Sequence, residues 1–300
     1  MHASRPKHRP PTVWLKEAPN KNQSPLLSPS PLSEPAPVTS AARPASDPSA
    51  QPLTNESPAL AIRHVTEDPW QTYEAIIEIF QTERVFLARH RRNKAELVHV
   101  QRLEQSPSVA ALRETISQLS HPSFRTLLET YHHANHAFLV WEPVALSVSQ
   151  VLASKCLVTE SEILAIVRPV LEGIRHLRDR GRVLATLSAD TILLTDAGGV
   201  RIAGAEHSCK ISLAEMDAAT SKLFALAEVV TKLMQKNPPP HQWSAEITSL
   251  PNQLRSKSIE ELLQSNIIGG QTRHDGELKL LVCVANKTAY HRVESFSDRL

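Results

Sequence analysis

The sequence predicts an α+β domain, with strands in its first half and helices in its second half, preceded by a disordered tail. Two compositional shifts and a change of periodicity predict this organisation. Of the 22 prolines, 13 lie within the first 58 residues, whereas all 8 glycines lie at or beyond Gly173. Apolar residues alternate in much of the stretch after Tyr73, as in strands, and recur at helical spacing after Thr159. The overall content, 41% hydrophobic and 21% charged, is ordinary for a globular protein.

Residues 1–65 form the predicted tail. They are rich in Pro, Ser, Ala and Asn and poor in aromatic residues, so they offer too little apolar surface to offset the entropy of ordering. Four Ser-Pro pairs in the tail are candidate sites for proline-directed kinases, which would add negative charge. These are Ser24, Ser28, Ser30 and Ser57. A proline-rich spacer without regulation is the alternative interpretation.

Charge and cysteine content bound the partners and the compartment. A net charge of +2 creates no general polyanion-binding field, and charge alone does not identify a partner. We expect a protein partner of unknown identity, no membrane partner, and do not expect nucleic acid. The three cysteines, Cys156, Cys209 and Cys283, lie far apart without metal-ligand spacing, which is typical of free thiols in a reducing compartment. The first ten residues lack the apolar core of a signal peptide, and no run of 18 apolar residues occurs. These features predict a cytoplasmic or nuclear protein.

Two hairpins and a helix are predicted in the first half. Residues 84–103 contain two β-branched runs joined by a basic turn, which is typical of a hairpin. Leu112, Ile116 and Leu119 then follow helical spacing until His121-Pro122 ends the helix. The next hairpin has the turn HHANH, at residues 132–136, between two apolar strands.

Helices dominate the predicted second half. Thr159 and Glu162 form a capping-box pattern ahead of a long apolar stripe, and Pro169 is expected to kink that helix. Two short strands follow around the turn TDAGG, at residues 195–199. Ser212 with Glu215 is a candidate cap for the next helix, and a last capped helix is predicted from Ser258. The final segment, residues 269–300, has no assigned role and contains ELKLLVCVA as either a strand or a helical turn.

Two stretches carry a resemblance to a known family. The stretch SHPSFRTLLETYHHANHAFLVWE, from Ser120, is similar to the HPN signature and the two strands that follow it in protein kinases. The stretch TILLTDAGGVRIAG, from Thr191, is similar to the family's NILL…GxVKIxD segment. The resemblance implies a two-lobed protein kinase-like fold, with a β-rich N-lobe at 66–145 and a shortened helical C-lobe at 146–268.

The resemblance also shows which charged groups of the family are replaced. Phosphoryl transfer depends on charges that bind magnesium, hold the phosphates and orient the acceptor hydroxyl. The strand lysine corresponds to Gln101, and its glutamate partner corresponds to Leu112, with Glu114 nearby on another face. The region that corresponds to the glycine-rich loop, EIFQTERVF from Glu78, contains no glycine.

The catalytic loop is similarly neutral. Where the family has HRDLKxxN, this chain has LATLSADT, so Thr186 is at the general-base position, Ser188 at the lysine position and Thr191 at the metal-binding asparagine position. The DFG motif corresponds to GAE, with Gly204 at the magnesium-binding aspartate position. Lys222 takes the place of the helix aspartate that braces this loop.

The nucleotide cleft implied by the resemblance is vestigial. Its expected lining residues are Val85, His99, Trp141, Val144 and Leu193. His99 and Trp141 are large where the family has a small residue and the gatekeeper, and Pro143 removes a hinge donor. We therefore expect a narrowed adenine cavity, no cofactor, no metal and no catalytic residues. Asp190 and Asp196, the nearby carboxylates, are interpreted as structural.

These observations predict that the chain is not an enzyme but a pseudokinase, a scaffold or allosteric regulator in signalling. One alternative is a divergent active Ser/Thr protein kinase that transfers phosphate from ATP, which would need Asp190 or Asp196 to hold magnesium. A second alternative is a basic nucleic-acid-binding adaptor that uses residues 89–94, RHRRNK, which we otherwise interpret as a solvated turn. The histidines of the HHANH turn, a possible zinc group, are likewise interpreted as structural.

Overall fold

The structure is a computed structural model that describes residues 62–80, 84–103, 109–212, 217–270 and 276–297. All of these residues belong to one compact unit, which spans 55–300. The structure is a mixed α+β fold, built on a six-stranded sheet followed by helices and two small sheets. This architecture is compatible with a protein kinase-like fold.

The six-stranded sheet contains both predicted hairpins. Its strands, β1–β6 in chain order, are Arg63–Val65, Tyr73–Phe80, Arg84–His90, Leu97–Leu103, Leu127–His133 and His136–Trp141. Their spatial order is β1-β5-β6-β4-β3-β2, with β1 parallel to β5 and all other pairs antiparallel. The β5–β6 turn is tight because Ala134 and Asn135 have positive φ angles of 48° and 63°. The histidines of HHANH therefore lie at the strand ends rather than in a longer loop.

We call residues 63–72 the strap. It consists of β1 and of the segment that leads from β1 across one face of this sheet to β2. Our sequence interpretation assigned Arg63–Val65 to the disordered tail, whereas the structure places them in β1. Helix α1, Pro69–Thr72, begins at Asp68, whose carboxylate accepts a hydrogen bond from the Trp70 amide at 3.1 Å. The Trp70 indole contacts Phe86 and Phe138 edge to face, with ring centroids 5.3 and 6.2 Å apart. The strap thus covers an aromatic cluster.

This strap-covered cluster is the first of two apolar clusters on the sheet. Its buried members are Tyr73, Ala88, Val98, Val100, Tyr131, Phe138 and Val140. Glu129 closes one side, because its carboxylate accepts hydrogen bonds from the hydroxyls of Tyr73 at 3.0 Å and Tyr131 at 2.8 Å. Arg63 of the strap pairs with the same carboxylate at 3.2 Å. Burial, together with Glu129, raises the pKa of Tyr73.

Helix α2, Val109–Gln118, packs on the opposite face of the sheet, where the sequence predicted a helix. The cluster beneath it consists of Leu103, Leu127, Ala137, Leu139 and Trp141. Leu112 and Ile116 of α2 pack against this cluster. Because side chains alternate along a strand, one set of strands supplies both clusters.

The second half is mainly helical, as predicted. Its elements are β7 Leu146–Ser147, α3 Val148–Ala153, α4 Glu160–Arg178, β8 Arg182–Val183, β9 Ile192–Leu194, β10 Val200–Ile202, a 3-10 turn Ala205–His207, β11 Cys209–Lys210, α5 Asp217–Lys236, α6 Ala245–Ser256, α7 Ile259–Gln264, α8 Asn266–Gly269 and α9 Lys279–Ser297. The capping boxes at Thr159 and Ser258 are confirmed. The cap expected at Ser212 with Glu215 extends beyond the described residues. None of the described helices is long and apolar enough to cross a membrane.

Helix α4 positions the loop that carries the candidate site. Its buried apolar side includes Ile163, Val167, Val170 and Ile174, and Pro169 lies inside the helix as the sequence indicates. A Cβ added at Gly173 would lie 2.7 Å from Cδ1 of Ile202, so α4 approaches β10 closely at this glycine. The final segment, left open between strand and helix, is helical in α9.

Candidate functional site

The loop 184–191, between β8 and β9, contains the positions that correspond to the catalytic loop. Leu184 is buried, whereas Thr186 is exposed. The Thr191 hydroxyl accepts from the Ser188 amide at 2.9 Å and lies 3.1 Å from the Ser188 carbonyl, to which it donates. Thr191 therefore closes the loop upon itself.

Hydrogen bonds from three other segments hold this loop in place, one of them from the Ser149 amide of α3 to the Ala189 carbonyl at 3.0 Å. The Lys222 ammonium donates to the Ala185 carbonyl at 2.9 Å. The amide of Ala203 donates to the carbonyl of Thr191 at 2.9 Å, which ties the loop to the end of β10. A lysine can brace this backbone only through a carbonyl, because an ammonium donates and does not accept. At the position that corresponds to the family's aspartate, a lysine thus contacts the loop by donating a hydrogen bond to a backbone carbonyl.

Gly204 follows β10 with a φ of 85°, a left-handed conformation that suits glycine. The carboxylate of this segment is on Glu206, two residues later, whose side chain is only 12% exposed. Sequence reasoning placed GAE at the DFG position but overlooked Glu206. Burial lowers the pKa of Arg125, and the charge of Glu206 partly offsets this lowering.

The predicted nucleotide cleft contains a buried polar pair. The Trp141 indole N–H donates to Oε1 of Gln101 at 2.7 Å, and both side chains are buried. His99, paired in register with Trp141 across β4 and β6, is also buried. Burial, and then the charge of Arg125, lowers the pKa of His99 to about 4, so the imidazole is neutral at pH 7. Val85 and Leu193 are buried and Val144 is half-buried.

Arg125 is a charged group that the sequence interpretation missed. Its guanidinium lies 5.4 Å from the centroid of the Trp141 ring, and its Nε donates to the Glu142 carbonyl at 3.3 Å. The Glu142 carboxylate is engaged elsewhere, with Arg201 Nε at 2.7 Å and the Thr126 amide at 2.9 Å. Burial lowers the pKa of Arg125 to about 10, which still leaves it charged at neutral pH. Nothing in the local pattern of residues 120–126 indicated a half-buried cation.

The helix position of the family's glutamate carries no charge here. Leu112 packs its side chain toward the α2-covered cluster. Glu114, on another face, is exposed and accepts a hydrogen bond from Gln118 at 3.2 Å. Gln101 and Leu112, which correspond to the family's strand lysine and its glutamate partner, are therefore both uncharged.

The residues do not fit the family's magnesium site. Gly204 has no side chain, and the Thr191 hydroxyl is engaged with Ser188. Within the described ranges, no group of three or more His, Cys, Asp or Glu side chains could hold a metal ion. Asp190 and Asp196 are both exposed, Asp190 in the loop and Asp196 in the β9–β10 turn.

The basic turn and the histidine group have structural contacts. Arg89 pairs with Glu74 at 2.9 Å, and Arg91 donates to the Trp70 carbonyl at 2.9 Å. His136 lies 2.9 Å from Arg102 Nη2, while His132 and His133 are exposed. A nucleic-acid role for residues 89–94 stays a prediction.

Comparison with known proteins supports the resemblance to protein kinases. The chain is 30% identical to Serine/threonine-protein kinase Tao of Drosophila melanogaster over 167 residues, which cover 52% of this chain and 16% of Tao. It is 25% identical to Serine/threonine-protein kinase CST20 of Candida albicans over 142 residues, which cover 45% of this chain and 12% of CST20. The chain thus spans a small part of the length of these relatives. No protein-family model matches it.

These similarities correct one expectation. The neutral residues at the catalytic positions predicted that the chain is not an enzyme, but the relatives that it matches are named as Ser/Thr kinases and point toward kinase activity. Motif positions show which of the family's groups are missing, but not whether other groups take over their roles. The charged residue of loop 184–191 is Asp190.

Proposed function

We propose that this chain contains the kinase-like domain of a divergent Ser/Thr protein kinase, which transfers phosphate from ATP to a hydroxyl group. The observation that carries the proposal is the similarity to Tao and CST20, both named as Ser/Thr kinases. In this proposal residues 66–145 and 146–268 correspond to the two lobes, with the strap as an addition to the first.

The braced loop 184–191 supports this proposal. Positioning and electrostatic stabilisation are the main contributions of a protein to phosphoryl transfer. The hydrogen bonds from Lys222 to Ala185 and from Ala203 to Thr191 keep the loop at a fixed place beside β10. A loop held in this way can present a side chain to an acceptor hydroxyl.

Asp190 is the group that we assign to the acceptor. It is the only carboxylate in residues 181–194, and its side chain is exposed. The Asp190 amide donates to the Ser188 hydroxyl at 3.2 Å, which orders the backbone at this position. Asp190 would accept the proton of the acceptor hydroxyl while its oxygen bonds the γ-phosphorus and the bond to ADP breaks. The family's magnesium site does not fit these residues, and no step here depends on it.

Transfer of radiolabelled phosphate from ATP to a generic acceptor protein tests this proposal. We expect the full-length chain to incorporate label and Asp190→Asn to lose about a hundredfold in rate, as general bases contribute about 10²–10⁴. Asp196→Asn removes an equally exposed carboxylate in the β9–β10 turn and serves as the matched control. Equal rates for both variants would rule out the role of Asp190, and no transfer by the wild-type chain would overturn the proposed activity.

A second role, as a scaffold or allosteric regulator, is compatible with the first. The observation that favours it is the hydrogen bond between Trp141 and Gln101, two buried side chains at positions where the sequence predicts a narrowed nucleotide cleft. A domain whose cleft is filled responds weakly to nucleotide and offers its surface to partners. Titrating the same preparations with ATP, with and without magnesium, while following the melting temperature measures how far the cleft is closed.

A further inference from the structure

A cavity lies between α2, the start of β5 and the residues that follow β10. Its volume is about 580 Å³, within the range of pockets that hold drug-sized molecules. Trp141 lines it, but the other four residues of the predicted nucleotide cleft do not. Most of its wall is apolar, from Ile62, Ile116, Phe124, Leu127 and Ile202.

Arg125, which lines this cavity, has an unsatisfied donor. Its Nη2 is fully buried and has no hydrogen-bond partner among the described residues. A buried donor without a partner costs about 1–3 kcal/mol, and more on a charged group. The Glu142 carboxylate accepts from Arg201 and Thr126 through its Oε1, and it is not a hydrogen-bond partner of Nη2 of Arg125.

The other charged groups at the cavity define which anion would fit. Arg180, His121 and Glu206 also line it. Arg180 donates to the Gln118 carbonyl at 3.2 Å, and His121 stacks on His176 with centroids 4.4 Å apart. Glu206 would repel a doubly charged phosphate more strongly than a single negative charge. The balance of charges therefore favours a monoanion.

We propose that this cavity binds a small organic carboxylate with an apolar, preferably aromatic, body. The Arg125 side chain would turn its guanidinium toward the cavity so that Nη2 donates to the carboxylate, and the body would pack against Ile116 and Leu127. The guanidinium is well suited to a carboxylate, because its planar donors match the two oxygens. This binding does not depend on phosphate transfer, so either proposal can fail without the other.

Isothermal titration calorimetry of the full-length chain with 2-naphthoate tests the site, with 2-naphthamide as an uncharged probe of similar shape. We expect the acid to bind with one-to-one stoichiometry. The affinity of the amide is expected to be lower by a factor of about ten or more, because a charged hydrogen bond is lost. Equal binding of acid and amide, or no binding of the acid, would overturn the proposal.

Two variants locate the binding. Arg125→Leu removes the donor and Ile116→Trp fills the cavity, and each is expected to weaken naphthoate at least tenfold. Arg92→Leu replaces an exposed arginine by leucine, as Arg125→Leu does in the cavity, and this control is expected to bind naphthoate like wild type. Should Arg125→Leu fail to fold by circular dichroism, Ile116→Trp decides alone. Unchanged affinity in a folded cavity variant would show that the probe binds elsewhere.

Discussion

The two faces of the six-stranded sheet differ in what their buried residues do. The strap-covered face is aromatic and apolar, and its charged groups, Glu129 and Arg63, lie at its side. The α2-covered face buries Gln101 and His99 among apolar neighbours, with Arg125 beside Trp141. One set of alternating strands thus supplies a stabilising face and a face with buried polar groups.

The two faces differ in how their buried residues affect stability. Buried polar groups cost stability unless they are paired. On the α2-covered face, Gln101 is hydrogen-bonded to Trp141 and the buried His99 is neutral. The strap adds apolar area on the other side, where no chemistry is expected. We therefore expect substitutions on the strap-covered face to act on stability alone, and those on the α2-covered face to depend on pairing and pH.

The largest effect is expected from Trp70→Ala. The indole joins the strap to Phe86 and Phe138, and losing a packed aromatic side chain costs about 3 kcal/mol. Urea unfolding of the full-length chain measures this loss. Ile77→Ala, at an exposed position on β2, is expected to cost less than about 0.5 kcal/mol. Similar losses for both would mean that the strap contributes nothing to the sheet.

A smaller effect is expected from Gln101→Leu on the α2-covered face. The change leaves the Trp141 indole N–H buried without its acceptor, at a cost of about 2 kcal/mol. Trp141→Phe removes the donor, so the double variant is expected to lose less than the sum of the single losses. Unfolding free energies of the four proteins form the cycle. Strict additivity would show that the hydrogen bond does not couple these residues.

The smallest effect is a pH dependence from His99. Its folded-state pKa of about 4 lies below the ordinary 6.5, so the unfolded chain binds more protons between these values. The contribution is therefore present above pH 6.5 and is lost as the pH falls toward 4. Between pH 7 and pH 5.5 we expect His99→Leu to lose about 1 kcal/mol less stability than wild type.

His133→Leu is the control for this dependence, since His133 is exposed at the end of β5. Urea unfolding of both variants and wild type at the two pH values gives the comparison. His176 remains in all three proteins, and burial lowers its pKa to about 4 as well, so part of the acid loss persists. A His99→Leu protein with the wild-type pH dependence would contradict a buried neutral His99.

Local patterns predicted much of the fold. The capping boxes at Thr159 and Ser258, the two hairpins and the helix before His121 are confirmed, because each depends on residues a few positions apart. The strap was missed because β1 pairs with β5, 66 positions away at Arg63 and Glu129. No periodicity in a three-residue strand marks such a partner.

The candidate site was predicted in part. Motif positions assigned Gln101, Thr186, Thr191 and Gly204 to the site, and these assignments stay predictions. The structure brings Thr191 and Ser188 together in one closed loop. Arg125 and Glu206 were missed, since each is an ordinary charged residue in the sequence. Lys222 was identified as a substitution, but its bond to the Ala185 carbonyl required the folded arrangement of α5 and the loop.

The sequence by itself determined the two hairpins, the helix between them, the mainly helical second half, the helix caps at Thr159 and Ser258, and the neutral residues at the positions that correspond to the family's charged groups. These follow from neighbours along the chain, where propensity, capping and spacing act. Tertiary structure alone decided which face of the sheet the strap covers, and that Arg125 lies half-buried beside an apolar cavity with its Nη2 buried and unpaired. Burial and charge pairing depend on residues distant in sequence, so only the packed chain could reveal them.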